Sequence, residues 1–300
     1  MSNKHISVLL SESINALNIK PDGIYLDLTL GMGGHSGEIL KRLTTGLLIA
    51  FDKDSFAIEE SRKYLSQISD RFKLIHADFR NIKAELAQLN IASVDGIIAD
   101  LGISSPQVDN AERGFSYNKD AYLDMRMDRN QKLDAHFVVN NYSTEQLVKI
   151  FNDNADVKLS HKVAKAIVEN RPINSTLELA NTIRQSLPAK IVAQKNPCKA
   201  VFQAIRIEVN NEFESLEIML KDAVELLKPN SSLAVISFHS IEDKKVKTYF
   251  ASLVENKMPA KMPINEIKSF KLKTIEPSKN ELLENNRSRS AKLRICTKIL

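Results

Sequence analysis

Between residues 24 and 101, short apolar runs alternate with amphipathic stretches, the pattern of a parallel sheet whose strands are joined by crossover helices. It predicts four strands, at 24–29, 47–51, 72–77 and 96–101, each a buried-type run bounded by Gly, Asp or Asn. Ligands of open α/β sheets bind at the carboxyl ends of the strands, so the acidic residues and glycines closing these runs mark the expected ligand edge. After Asp100 the alternation gives way to about ninety residues that read as helices. There Leu147, Ile150 and Phe151 share one face behind Ser143, Ser160 can cap a second helix, and Ser175 with Glu178 has capping-box spacing. Alternation then resumes: a helix around 201–209, a longer one bearing Phe213, Leu216, Leu220, Val224 and Leu227, a stop at Pro229-Asn230, and a strand at 233–238. The expected organisation is a two-part sheet domain, 1–108 and 197–300, interrupted by a helical insertion at 109–196. From Lys257 onward the chain is rich in Lys, Asn, Ser and Pro, and long surface stretches are expected.

Composition narrows the function classes. The 300 residues are 43% hydrophobic, enough for a sizeable core. The longest wholly apolar runs, such as 47–51, are far too short to span a bilayer. Lys4, His5, Glu12 and Lys20 interrupt what would be the apolar core of a signal peptide, so a cytoplasmic protein is expected. Cys198 and Cys296 are far apart and form no C-x-x-C, and no His, Cys and carboxylate cluster has metal-ligand spacing; no metal is expected. The net charge of +5 is unevenly placed. Residues 241–300 carry 14 basic and 7 acidic side chains, while the first 240 carry 28 and 30, so the whole basic excess lies in the last fifth.

The first strand runs directly into a glycine turn, Asp27-Leu28-Thr29-Leu30-Gly31-Met32-Gly33-Gly34-His35-Ser36-Gly37, which leads into a helix. Its glycines permit a sharp turn and close approach of a ligand to the backbone, although a plain strand-to-helix turn would also use them. Asp52 closes the next strand about twenty residues on, where a carboxylate can accept both hydroxyls of a ribose. A dinucleotide fingerprint would place glycine at the sixth position from Gly31, where Ser36 stands. The pattern is instead D-x-x-x-G-x-G, and the Asp27 carboxylate suits a cationic aminoacyl group while repelling a pyrophosphate. These features favour S-adenosylmethionine. Asp78-Phe79, after the third strand, is placed to meet an adenine by hydrogen bond and ring contact, Phe79 as a plain core residue being the alternative.

The fourth strand ends in Asp100-Leu101-Gly102-Ile103-Ser104-Ser105-Pro106-Gln107. An amino group conjugated to a base ring is a poor nucleophile, and acceptors that hold its N–H groups out of conjugation restore the lone pair for attack on a sulfonium methyl. Asp100 and the backbone near Ser104, Ser105 and Pro106 are candidates for that task, against the plainer reading of a proline turn. His239, in Ser237-Phe238-His239-Ser240, closes a later strand at the same edge and is a second candidate.

The chain resembles the bacterial 16S rRNA cytosine-N4 methyltransferase family. The resemblance rests on motifs along its whole length: residues 5–10, G-x-G-G-H-S, D-L-G-I-S-S-P-Q, A-E-R-G-F-S at 111–116, L-D-M-R-M-D at 123–128, F-Q-A-I-R-I at 202–207, I-S-F-H-S at 236–240 and R-S-R-S at 287–290. It implies a Rossmann-like class I S-adenosylmethionine methyltransferase sheet with an inserted all-helical domain. The implied cofactor contacts fall on Gly33, Gly34, His35, Asp52, Phe79, Asp100 and Gln107, beside the Asp27 and Gly31 of the turn. The implied product is N4-methylcytidine in the decoding region of 16S rRNA, and the implied partner is the small ribosomal subunit; a homodimer is a further expectation. Leu28 stands where many members are expected to have a smaller residue, so it is expected to tighten the methionine end of the pocket.

Two sets of basic residues are candidates for RNA. Arg113 and Arg126, with Arg129, lie in an insertion of 13 basic and 11 acidic residues, where salt-bridged structure competes with RNA contact. Arg287, Arg289, Lys292 and Arg294 have fewer acidic neighbours and better fit a phosphate-binding stretch. Two rival classes share part of the pattern. A nicotinamide-linked oxidoreductase would keep the sheet and Asp52, and a non-catalytic ribosome-assembly protein would keep the basic tail.

Overall fold

Side chains alternate strictly along the strands, and this sorts them into two cores. In the computed structural model, which describes residues 7–194, 196–254 and 269–300, the strands are β1 (Ile24–Asp27), β2 (Leu47–Asp52), β3 (Phe72–His76), β4 (Val94–Asp100), β5 (Leu227–Ser237), β6 (Phe270–Ile275) and β7 (Lys292–Lys298). Tyr25, Leu48, Ala50, Ile98, Ala234 and Ile236 point to one face, under α1 (Leu10–Leu17), α2 (Gly34–Leu40) and α3 (Ser55–Leu65). Leu26, Ile49, Phe51, Ile97, Ala99, Leu233 and Val235 point to the other, under α4 (Ile82–Gln88) and two later helices. This period of two is what a sheet covered on both faces requires.

The seven strands lie in the order β3-β2-β1-β4-β5-β7-β6. The pairs from β3 through β5 are parallel, while β7 runs antiparallel to both neighbours. Past the strand ends the ladder continues in single bonds, Leu28 N–H to Ile98 O and Leu30 N–H to Phe51 O, both at 2.9 Å. β5 begins at Leu227, ahead of the expected stop at Pro229-Asn230. Val94 pairs with Leu227 and Gly96 with Ser232, so the proline, which has no N–H to give the ladder, sits in an outward bulge where Asn230 takes φ +63°.

The expectation of long surface stretches in the tail is corrected by β6 and β7; the part at 257–268 lies outside the described residues. Phe270, Leu272 and Thr274, then Leu293 and Ile295, alternate with lysines and an arginine before Cys296, a signal of half-covered strands hidden by the high overall charge.

The chain divides into two compact units, one of Met1–Gly102 with Glu214–Leu300, the other Ile103–Phe213. The helical unit holds α5 (Ser105–Asp109), α6 (Ala135–Asn141), α7 (Thr144–Asp153), α8 (Ser160–Glu169), α9 (Thr176–Ser186), α10 (Ala189–Gln194) and α11 (Cys198–Asn210). Its limits are wider than the expected 109–196. Cys198, Val201, Phe202, Ala204, Ile205 and Val209 of α11 share one core with Leu147, Phe151, Val163 and Leu179, so α11 is the central helix of this unit rather than the resumption of the sheet. The sheet unit continues with α12 (Glu212–Leu226), α13 (Ser240–Val254) and α14 (Lys279–Glu284). No helix among the described residues is long and apolar enough to cross a membrane.

Candidate active site

The glycine turn is held from below by four contacts the motif alone did not announce. Asp27 Oδ1 accepts the Thr29 N–H at 3.1 Å, and its Oδ2 accepts the Ser36 hydroxyl at 2.7 Å. Gly31 O accepts the Ser61 hydroxyl of α3 at 2.7 Å, while Gly31 N–H donates to Asp52 Oδ2 at 2.8 Å. Gly31 and Gly33 adopt φ +49° and +78°, a conformation that costs other residues about 1 kcal/mol. The turn therefore rises over the ends of β1 and β2 and is open at Gly31, where a Cβ would meet nothing nearer than Thr29 O at 3.8 Å. Leu28 does not reach this cradle; it is fully buried in the sheet core, which corrects the expectation that it narrows the pocket.

Three strand-end carboxylates line the edge. Burial pushes Asp27 up to about 6 against the hydrogen bonds of Ser36 and Thr29. Asp52 also reaches about 6 through burial, opposed by the Asp54 and Gly31 N–H groups. Burial, then the charges of Asp27 and Glu242, hold Asp100 well above the carboxylate range. Asp100 is fixed to the glycine turn because its N–H donates to Thr29 Oγ1 at 2.6 Å. Its Oδ2 lies 3.9 Å from His35 Nδ1. Its Oδ1 is buried and accepts no hydrogen bond among the described residues. An edge of desolvated acids is complementary to a cation, and the aminoacyl and sulfonium charges of S-adenosylmethionine meet that requirement. Asp52 keeps lone pairs beyond its two backbone donors for ribose hydroxyls.

Other sequence candidates divide. Phe79 is half-buried against the sheet core at the end of β3, at the same edge. Asp78 is engaged mainly through Oδ2, which takes Lys53 Nζ at 2.9 Å and the Ser215 hydroxyl at 2.7 Å, while its Oδ1 takes the Arg80 N–H at 3.0 Å. His239 closes β5, and its Nδ1 accepts Glu242 N–H at 3.3 Å. Glu242, missed by sequence reasoning, is buried; it accepts Phe238 N–H at 2.8 Å and places Oε1 3.6 Å from His239 Nε2. Its i, i+3 spacing from His239 at a helix start was the available signal. Gly34 begins α2 under Ser7, whose Oγ would lie 1.9 Å from a Cβ there.

In the helical unit, Ser104 N–H donates to Gln107 Oε1 at 3.0 Å, so the S-S-P-Q turn is a helix start with Ser105 and Pro106 in its first turn. Gln107 is buried with that oxygen engaged. The expectation of RNA contact at Arg113 and Arg126 gives way to structure. Arg113 is buried, its Nη2 donating to Arg126 O at 2.8 Å and Met127 O at 3.1 Å. Arg126 is spent on Asp124, at 2.5 Å, and on two loop carbonyls. In the sheet unit, Arg294 forms a two-pronged pair with Asp243 at 2.7 and 2.9 Å, and Lys292 lies 3.5 Å from Glu276. Arg287 and Arg289 are exposed on a 3-10 turn, Asn286–Ser290.

A sheet of this order with β7 reversed, carrying a glycine turn after β1 and acids at the ends of β1, β2 and β4, is the Rossmann-like architecture of class I methyltransferases. The chain belongs to the MraW methylase family, whose pattern matches residues 2–299. It is 65% identical over 300 residues to the ribosomal RNA small subunit methyltransferase H of Mycoplasmopsis agalactiae, covering 100% of both chains. To the protein of the same name from Clostridium botulinum it is 49% identical over 310 residues, again covering 100% of both.

Proposed function

We propose that this protein transfers the methyl group of S-adenosylmethionine to N4 of a cytidine in the decoding region of 16S rRNA, acting on the small ribosomal subunit in the cytoplasm. The observation that carries the reading is the row of desolvated carboxylates Asp27, Asp52 and Asp100 beneath a glycine turn open at Gly31, with Asp100 Oδ1 accepting no hydrogen bond among the described residues. Asp27 faces the aminoacyl end, Asp52 the ribose, Phe79 the adenine, and the Gly31, Gly33, Gly34 and His35 backbone approaches the cofactor closely. When bound, S-adenosylmethionine supplies an electrophilic methyl on a cationic sulfur. The cytosine amine forms the new N–C bond as the S–C bond breaks, leaving a neutral thioether, and one N–H proton departs. Asp100 is the acceptor that holds an N–H group and takes that proton, and His239, held by Glu242, is the second polar group of the edge. Ser104, Ser105, Pro106 and Gln107 stay in the proposal on their position in the chain just after Asp100, and Arg287 and Arg289 as phosphate contacts on their exposure. The homodimer stands as a further part of the reading, tested by sedimentation at several concentrations.

Calorimetric titration with S-adenosylmethionine and with NAD tests the cofactor. Binding of the first, weakened at least ten-fold in Asp52→Ala, supports the reading; binding of NAD alone, or an unchanged affinity in the variant, contradicts it.

A further inference from the structure

Two of the motifs, at 5–10 and 287–290, lie at opposite ends of the chain. His5 and the residue after it lie outside the described residues. The remainder of the first motif opens α1, where Leu9 is fully buried yet adopts φ +51°, a left-handed conformation unusual for leucine. No side chain of its own caps that helix. Its Leu9 N–H instead donates to Glu281 Oε1 at 3.1 Å, 272 residues away in sequence. The same oxygen accepts the hydroxyl of Ser288, which is wholly buried between the exposed Arg287 and Arg289.

Topology gives this one carboxylate its place. Because β7 runs against β5, its first residue, Lys292, pairs with Ser237 at the carboxyl end of β5, and Leu293 pairs with Ile275 at the end of β6. The intervening segment, with α14 and the basic turn, is thereby carried to the edge that holds Asp27, Asp52 and Asp100. Residue Ser7, two positions before the pinned Leu9, packs on Gly34 of the glycine turn so closely that a Cβ there would overlap it.

We infer that Glu281 is a positioning residue that joins the two end motifs, holding the 7–9 segment against the cofactor's glycine turn and the Arg287–Arg289 turn toward RNA phosphates at the same edge. An anionic acceptor suits both tasks: it satisfies an otherwise uncapped helix-start N–H and fixes the hydroxyl between the two arginines. The inference rests on the methyltransferase reading above.

The test uses the full chain and two binding measurements, calorimetry with S-adenosylhomocysteine and binding of purified small ribosomal subunits across a salt series, both far below the unfolding temperature. Glu281→Ala is expected to weaken both affinities about ten-fold. Glu281→Gln, whose amide oxygen still accepts the Leu9 N–H, is expected to recover most of the loss. Ser288→Ala is expected to weaken subunit binding more than cofactor binding, and it covers the case in which Glu281→Ala does not fold. If Glu281→Ala, or in its absence Ser288→Ala, lowers only the melting temperature and leaves both affinities intact, Glu281 is a helix cap and nothing more. Loss of only one affinity in Glu281→Ala also overturns the joint role. Failure of the wild-type protein to bind either probe would instead count against the methyltransferase reading itself.

Discussion

The Ser36 hydroxyl donates to Asp27 Oδ2 at 2.7 Å, and both side chains are almost completely buried. The residue that breaks the dinucleotide fingerprint is therefore the one that holds the acid at the end of β1. Ser36→Gly would restore G-x-G-x-x-G but leave a desolvated carboxylate short of a donor. It is expected to cost about 2 kcal/mol, read as a lower midpoint in denaturant, and to weaken S-adenosylmethionine without creating NAD affinity.

The raised acids give a pH signature. Asp27 and Asp52 keep their protons up to about 6 in the folded chain, against a starting value of 3.8. Their contribution to the stability of the ligand-free protein is thus fully present below about pH 4 and is lost as pH rises through about 6. A cationic ligand favours the ionised forms, so affinity for S-adenosylmethionine is expected to rise over the same interval with release of protons. Calorimetry in buffers of different ionisation heat measures that release; affinity and proton count that do not change with pH would contradict it.

Asp100→Asn keeps the shape of the side chain and removes its acidity. Since burial and the charges of Asp27 and Glu242 disfavour the Asp100 carboxylate, the neutral amide relieves that penalty, and stability is expected to be unchanged or slightly higher. Methyl transfer is expected to fall about 100-fold or more. A variant that unfolds more readily while transferring at the wild-type rate would show that Asp100 is a structural acid.

The basic tail divides into two roles that mutation separates. Arg294, tied to Asp243, fastens β7 to α13, and Arg294→Ala is expected to cost about 2 kcal/mol. Its effect on the salt dependence of subunit binding should be negligible. Replacing Arg287 and Arg289 together should leave the melting temperature in place and reduce the salt slope by about 1 to 2.

How much of this was legible varied with the kind of signal. β1, β2, β4 and the glycine turn were readable because their apolar runs are short, continuous and closed by acids and glycines, as buried parallel strands must be. β6 and β7 were not, because lysine and arginine at 271, 273, 292, 294 and 298 gave the segment the composition of a surface. Among site residues, Asp27, Gly31, Asp52 and Asp100 could be read from their place at strand ends. Ser61 could not, since it reaches the edge from a neighbouring helix and carries no motif, and Glu242 offered only its i, i+3 spacing from His239. Arg113 and Arg126 misled for the opposite reason: charge suggests exposure, but here each guanidinium is spent on loop carbonyls, and Arg126 also on Asp124.

The most direct measurement is methyl transfer itself: incubation of the purified protein with labelled S-adenosylmethionine and free 16S rRNA, small subunits or whole ribosomes, followed by nucleoside analysis. The expected result is label in N4-methylcytidine from small-subunit RNA, abolished in Asp52→Ala and reduced in Asp100→Asn. Label recovered as another nucleoside or on protein, or no transfer to any of the three substrates, would contradict it.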